Sequence, residues 1–189
     1  MNTDDVRPTG DAPRFVVQIH DARRMHFDFR LEVDGVLKSW AVPRGPSGNP
    51  RDKRLAVPTQ DHPLEYGEFE GVIPQNEQGG GTIIVWDQGT YRPLSHDEQG
   101  TPVSFEEALE RGHATFWLDG DRLHGEYALT RFQVGEMPES SPVAWLLIKA
   151  NDNEAVHDGP GTPDPYDARS ARTGRTLHQV EAAEREHSG

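Results

Sequence analysis

Residues 15–33 read FVVQIHDARRMHFDFRLEV, two runs of alternating apolar and polar side chains on either side of a short polar turn. A period of two belongs to an extended strand with one face buried. In the second run His26, Asp28, Arg30 and Glu32 share one face, and Met25, Phe27, Phe29, Leu31 and Val33 share the other. In the first, Gln18 and His20 lie together while Phe15, Val17 and Ile19 point away. Pairing the two as a hairpin around Asp21–Met25 sets His20 opposite His26 and Gln18 opposite Asp28, because both index pairs sum to 46. Directly opposed side chains have Cβ atoms ~5 Å apart, which lets two imidazoles converge on one ion with Asp28 one pleat along.

Outward from this hairpin the chain continues in short strand-like pieces: Arg14–His20, His26–Val33, Val36–Val42, Leu55–Val57, Thr82–Trp86, Ala114–Leu118, Arg122–Phe132 and Val143–Lys149. Asp34-Gly35 is a two-residue hairpin signal, and Asp119-Gly120 carries the same turn chemistry. One helix is predicted after Ser104, which forms a capping-box pattern with Glu107; Phe105, Ala108 and Leu109 supply an apolar stripe and Gly112 a C-terminal cap. About eight short strands and one short helix predict a mainly β fold, a compact antiparallel β-barrel or strongly curved sheet. The expected organisation is a flexible N-terminal segment over 1–13, one domain over 14–150, and a linker and C-terminal extension over 151–189. The Asp-, Gly- and Pro-rich stretch 151–166 reads as flexible, and 176–187 as a short helix with sparse apolar positions. Trp40, Trp86, Trp117 and Trp145 stand in apolar runs and are expected in the core.

Two imidazoles and a carboxylate without sulfur suit Mn²⁺, with Fe²⁺, Co²⁺ or Zn²⁺ as alternatives, so His20, His26 and Asp28 are the expected metal ligands. Arg30 stands on the same face. Downstream, RGPSGNPRDKR brings Arg44, Lys53 and Arg54 into a Gly- and Pro-containing loop whose cations suit phosphate oxygens. DHPLEYGEFEGVIP then places His62 and Tyr66 four apart, a histidine that can contact a phosphate or donate a proton and a phenol that can bind phosphate or sugar. The Gly79-Gly80-Gly81 run lacks the context of a phosphate-binding loop and reads as a turn before a strand. The remaining histidines show no partner pattern.

Formal net charge is −13, which argues against a general coater of nucleic acid. Distribution qualifies the sum: residues 14–54 hold nine basic and five acidic side chains, whereas 71–189 hold nine and twenty. A local cationic zone on an anionic body can grip a short stretch of phosphate. The chain has no cysteine, which excludes disulfides, thiolate metal sites and Cys nucleophiles. Its longest apolar run, Val143–Ile148, is far below the ~20 residues that span a bilayer. The acidic opening MNTDDVRPTGDAP is unlike a secretory signal, and the chain reads as soluble and cytoplasmic with no membrane partner.

Several stretches together resemble one family: HDARRMHFDFRLEVDGVLKSWAVPRGPS, DKRLAV, DHPLEYGEFEGVIP, GGGTIIVWDQGTY, SFEEALERGHATFWLDGDRLHGEYALTRF and WLLIK. They are similar, in order, to the 3′-phosphoesterase domain of bacterial DNA ligase D and its free-standing relatives. The resemblance runs from about Phe15 to Lys149, and TGRTL at 173–177 looks like the family's C-terminal extension. It implies a β-barrel-like fold with the active site on a concave face, and a manganese-dependent hydrolase of DNA repair by non-homologous end joining. Such enzymes remove 3′-terminal ribonucleosides and 3′-phosphates from DNA or RNA primer ends, leaving a 3′-hydroxyl. By position, His20, His26 and Asp28 look like the metal ligands; Arg30, Arg54, His62 and Tyr66 fall at active-site positions, and Gln18 at a polar position that meets substrate beside the metal. Arg44 stands where the family commonly has Lys, Gln60 replaces an acidic residue, and the turn Pro74–Gly79 lacks the family's aromatic residue. The implied partners are the 3′ ends of a primer-template, with a ligase and polymerase acting in trans. Two other readings stand beside the enzyme: a catalytically impaired module that only binds or scaffolds 3′ ends, and an Fe²⁺ oxygenase using the same ligand types.

Overall fold

The computed structural model describes residues 12–133, 143–159 and 161–188. The first eleven residues of the segment expected to be flexible lie outside the described residues. β1 (Arg14–Asp21), β2 (Met25–Val33) and β3 (Val36–Val42) form a meander, followed by β4 (Arg54–His62), a 3-10 turn at Leu64–Glu68, β5 (Gly71–Ile73) and the long β6 (Gly81–Pro93). Helix α1 (Phe105–Arg111), β7 (His113–Gly120), β8 (His124–Gln133), β9 (Val143–Lys149) and helix α2 (Leu177–Ser188) complete the chain. The strands pair in the order β1-β2-β3-β4-β9-β8-β7-β6-β5, and β1 also pairs with β6. That last pairing closes eight antiparallel strands into a barrel, with β5 as a ninth strand on β6. Closure removes the free edges that an open sheet would present.

Alternation fills the interior. Phe15, Val17 and Ile19 of β1, Phe27, Phe29, Leu31 and Val33 of β2, Ile84 and Trp86 of β6, and Ala114, Phe116 and Leu118 of β7 all belong to one buried cluster. Burying each large side chain contributes about 1.5–3 kcal/mol, so the cluster supplies the main driving force for closure. Asp34 and Gly35 both take positive φ, 53° and 84°, which is the two-residue turn expected between β2 and β3. Ser104 Oγ accepts from Glu107 N at 3.1 Å and Gly112 is left-handed at φ 88°, so both predicted caps of α1 are present.

Four expectations need correction. Asp119 and Gly120 are not a turn but the last residues of β7; the chain reverses over 121–123, where the Asp87 carboxylate accepts the N–H groups of Asp121, Arg122 and Leu123 at 2.8–3.0 Å. Trp117 stands outside the core on the outer barrel face, half-buried beneath Arg92. β4 runs nine residues, not three, because backbone pairing to β3 holds the polar run Thr59–His62 extended without any apolar alternation. The stretch 151–166, polar enough to suggest a flexible linker, is tied down: Val156 N donates to Gly48 O at 2.8 Å and Gly48 N to Gly161 O at 3.1 Å. Beyond it, Leu177 and Val180 of α2 join the main cluster. Thr176 and Gln179 exchange hydrogen bonds at 3.0 and 3.3 Å, a capping box that starts the helix. No helix among the described residues is long and apolar enough to cross a membrane.

Candidate metal centre and phosphate pocket

The β1–β2 register is the one the index arithmetic predicts: Gln18 faces Asp28 and His20 faces His26. With Ile19, Phe27 and Phe29 turned into the barrel, the polar side chains are left on its outer surface. The site is a cavity of about 700 Å³ built on the barrel's outside. Its walls are Thr59, Gln60 and His62 of β4, Tyr66, and Gln75, Gln78, Gly79 and Gly80 of the following turn.

One ligand atom each from His20, His26 and Asp28 lies within 4.8 Å of the others. His20 Nδ1 is 3.6 Å from one Asp28 carboxylate oxygen and His26 Nε2 is 3.2 Å from the other. The far nitrogens are held by backbone: His20 Nε2 is 3.0 Å from Gly80 O and His26 Nδ1 is 3.0 Å from Arg24 O. A carbonyl only accepts, so those two nitrogens carry the protons, and the lone pairs of the neutral rings face Asp28. This is the support that orients metal-bound histidines. The donor set therefore fits a divalent ion. Burial disfavours charge on His26, but the hydrogen bond and charge of Asp28 outweigh burial and raise its pKa above the usual histidine value. Burial likewise acts to raise Asp28, and the hydrogen bonds from His20 and His26 with the charge of Arg30 overcome it, holding the carboxyl well below the usual range.

Arg30 is 3% exposed and almost fully engaged. Its Nε donates to Gln18 Oε1 at 2.6 Å and one terminal nitrogen to Ser39 Oγ at 2.8 Å; that nitrogen is 3.2 Å from His62 Nδ1, and the other is 3.3 Å from Asp28. A guanidinium has five N–H groups, so at least one remains for a ligand in the cavity. Its ring partner is Tyr66, whose centroid is 5.0 Å away.

His62 reaches the site through an irregularity. Ser39 pairs with Thr59, but Leu37 pairs with His62, so β4 spends one residue more than β3 over this interval. Strict alternation from Thr59 would put Asp61 on the outer face and His62 on the opposite one; the bulge reverses this. There His62 stacks on Tyr66 at 4.4 Å, with Nδ1 also 3.0 Å from Gln60 O. Burial and the neighbouring Arg30 charge push its pKa below the usual histidine value, so it is neutral near pH 7.

Gln18, expected to meet substrate, is instead fully buried. Its amide donates to Tyr66 O at 2.9 Å and Phe69 O at 3.1 Å while its oxygen holds Arg30, so it links the 3-10 turn to the guanidinium. Arg54 does not line the metal cavity either. It donates to Arg44 O at 2.6 Å and Gly45 O at 3.3 Å and pairs with Asp52 at 3.3 Å, bracing its own loop. Arg44, Lys53 and Arg54 with Arg51 line a separate cleft of about 320 Å³. Residues that sequence reasoning missed are Arg23, Thr59, Gln78 and Gly80, all at the cavity wall, and Ser39, which anchors Arg30. Of these only Ser39 had a signal, its place one residue before a core Trp on an alternating strand.

The DNA ligase D 3′-phosphoesterase domain family model matches residues 18–131. The chain is 49% identical over 142 residues to the multifunctional non-homologous end joining protein LigD of Pseudomonas aeruginosa, covering 75% of this chain and 16% of that protein. It is 49% identical over 124 residues to LigD of Mycobacterium tuberculosis, 65% of this chain and 15% of the relative, and 40% identical over 126 residues to LigD of Mycolicibacterium smegmatis, 66% and 16%. The chain thus spans about one sixth of the length of these relatives.

Proposed function

The chain belongs to the DNA ligase D 3′-phosphoesterase domain family, and on that premise we propose that it is a metal-dependent hydrolase of blocked 3′ ends, removing 3′-terminal ribonucleosides and 3′-phosphates from DNA or RNA primer ends in non-homologous end joining. The observation that carries this is one cavity holding both a His20–His26–Asp28 ligand set and an arginine, Arg30, with N–H capacity left beside it. His20 Nδ1, His26 Nε2 and Asp28 would hold Mn²⁺, and Co²⁺ or Zn²⁺ suit the same donors. When bound, such an ion polarises a phosphoryl oxygen and orients the attacking nucleophile.

The protein's own groups do the rest. Arg30 supplies fixed positive charge where negative charge develops on the phosphoryl oxygens, and its burial makes that charge more effective than it would be in water. Neutral His62 donates Nδ1–H to the Gln60 carbonyl, by the same rule that fixes His20 and His26, and its Nε2 lone pair is then free to accept a hydrogen bond or a proton from a group bound in the cavity. Tyr66 holds the ring of His62 by stacking and offers its hydroxyl to phosphate or sugar. Arg44 and Lys53, in the neighbouring cleft, are assigned to phosphates farther along the strand, and Arg54 to the shape of that loop. A ligase and a polymerase acting on the healed end are the expected partners.

The test is an end-labelled primer carrying a single 3′-ribonucleotide or a 3′-phosphate, incubated with the protein and Mn²⁺. Conversion to a 3′-hydroxyl that disappears with His20→Ala supports the reading; no turnover on either end with Mn²⁺, Co²⁺ or Zn²⁺ overturns it.

A further inference from the structure

Where β1 crosses β6 the ladder skips a residue: Val17 pairs with Asp87 but Gln18 with Val85, leaving Trp86 as the extra residue of a bulge. On its other flank β6 pairs with β5 only over 81–83 and with β7 only over 89–93, so the backbone between them has no strand beside it, and its buried groups must find other partners. Val85 finds both from outside the barrel sheet. Its N–H donates to the Glu70 carboxylate at 3.0 Å, and its carbonyl accepts from Ala171 N at 2.7 Å. The other Glu70 oxygen accepts from Thr173 Oγ1 at 2.5 Å and lies 3.5 Å from an Arg175 nitrogen. The Glu70 side chain is 6% exposed, and its pKa is held below the usual range although burial acts to raise it, so it is an ionised acceptor enclosed by donors. The C-terminal segment is thereby strapped across β6 onto the residue that follows Phe69.

Phe69 O and Tyr66 O are the two acceptors that hold the Gln18 amide, and Gln18 Oε1 holds Arg30 Nε. A continuous path of hydrogen bonds and one peptide unit thus runs from Thr173 and Arg175, through Glu70 and Gln18, to the guanidinium in the cavity. We propose that Glu70, clamped by Thr173 and Arg175, is a positioning residue for Arg30, and that the segment 170–175 is part of the active unit and not an appendage to it. The strap lies beyond the residues that the family model matches. Its catalytic consequence rests on the phosphoesterase reading, whereas its effect on Arg30 does not.

The experiment uses the full chain as wild type, Glu70→Ala, Glu70→Gln and the double variant Thr173→Val/Arg175→Met. Hydrogen exchange at the Arg30 Nε–H resonance is followed by ¹⁵N NMR, Mn²⁺ affinity by EPR of the free ion, and kcat and KM on a 3′-phosphate primer. Exchange at Arg30 at least about tenfold faster than wild type and kcat about tenfold lower are expected in Glu70→Ala and the double variant, since a small misplacement of a catalytic group is enough for that. Mn²⁺ affinity stays within about threefold, because the ligands sit on the hairpin itself and the ion is held by their local geometry. Glu70→Gln keeps an acceptor for Val85 N–H and recovers most of the loss. Unchanged Arg30 exchange in both Glu70→Ala and the double variant overturns the proposal, as does a collapse of Mn²⁺ affinity in step with kcat, which would mean that Glu70 only holds the fold. Should wild type show no turnover, the phosphoesterase reading fails and the Arg30 exchange still decides the strap.

Discussion

Two buried aspartates, Asp28 on β2 at 5% exposure and Asp87 on β6 at 0%, flank β1 from either side in one barrel and have opposite surroundings. Asp87 is enclosed by backbone: the N–H groups of Gln88, Asp121, Arg122 and Leu123 donate to it at 2.8–3.0 Å. Asp28 is enclosed by side chains that titrate or carry charge, His20, His26 and Arg30. Burial raises the pKa of Asp87 and its four amide donors do not fully offset this, whereas the partners of Asp28 lower its pKa despite burial. Backbone amides cannot exchange their protons for a cation; imidazoles can. The difference separates a carboxylate that shapes a turn from one that can share an ion.

Removing each carboxylate is the sharpest way to break the comparison. Asp28→Asn is expected to lower turnover of a 3′-phosphate end by roughly 10²–10³-fold or more while the protein still unfolds cooperatively, as measured by end-labelled assay and circular dichroism. Asp87→Ala reverses the pattern. Four N–H groups lose their acceptor, and at about 1–3 kcal/mol for the buried Leu123 N–H alone the loss is at least about 1 kcal/mol, a fall of roughly 2 °C or more in thermal midpoint. Mn²⁺ affinity of whatever remains folded is unchanged; loss of affinity without loss of stability would erase the distinction.

The proton on His26 gives a finer test. Its raised pKa means that protonated imidazole competes with metal to a higher pH than an ordinary histidine. Mn²⁺ affinity, followed by EPR, is therefore expected to rise with pH above about 6.5, by about tenfold per unit while one proton is displaced, and to level off once His26 is neutral. A flat profile over that interval would contradict the assignment of His26 as a ligand. The smallest effect is expected from Tyr66→Phe, which keeps the stack on His62 and the contact with Arg30 and removes only the hydroxyl. Turnover should fall by about fivefold, the worth of one hydrogen bond of about 1 kcal/mol, in steady-state kinetics on the 3′-phosphate primer.

Much of the metal centre was legible because it depends on short-range periodicity. Register follows from the turn at Asp21–Met25, and register alone brings His20, His26 and Asp28 together. The caps of α1 were legible for the same local reason. What was hidden depends on partners distant in sequence. Nothing in TQDH announces the bulge that turns His62 to the outer face, since the extra residue is defined only against β3. Gln18 reads as a surface group until the 3-10 turn, 46 residues later in the chain, covers it with two carbonyls. Arg54 carries the charge expected of a phosphate ligand, but carbonyls of the preceding loop take its donors. The stretch 151–166 has the composition of a linker, and the backbone of Gly48, about a hundred residues earlier in the chain, supplies the hydrogen bonds that hold it.

All three ligands fall within the nine residues 20–28, while barrel closure joins β1 to β6 across more than 60 residues of chain. A hairpin of this size forms in about 1–10 μs, whereas non-local strand pairing belongs to the millisecond-to-second range. Order of assembly follows from this disparity: the ligands come into register on a local element early, and Arg30 acquires its neighbours last, when β4, the 3-10 turn and the C-terminal strap arrive. Metal added during refolding should therefore meet its three donors before the pocket around them is complete.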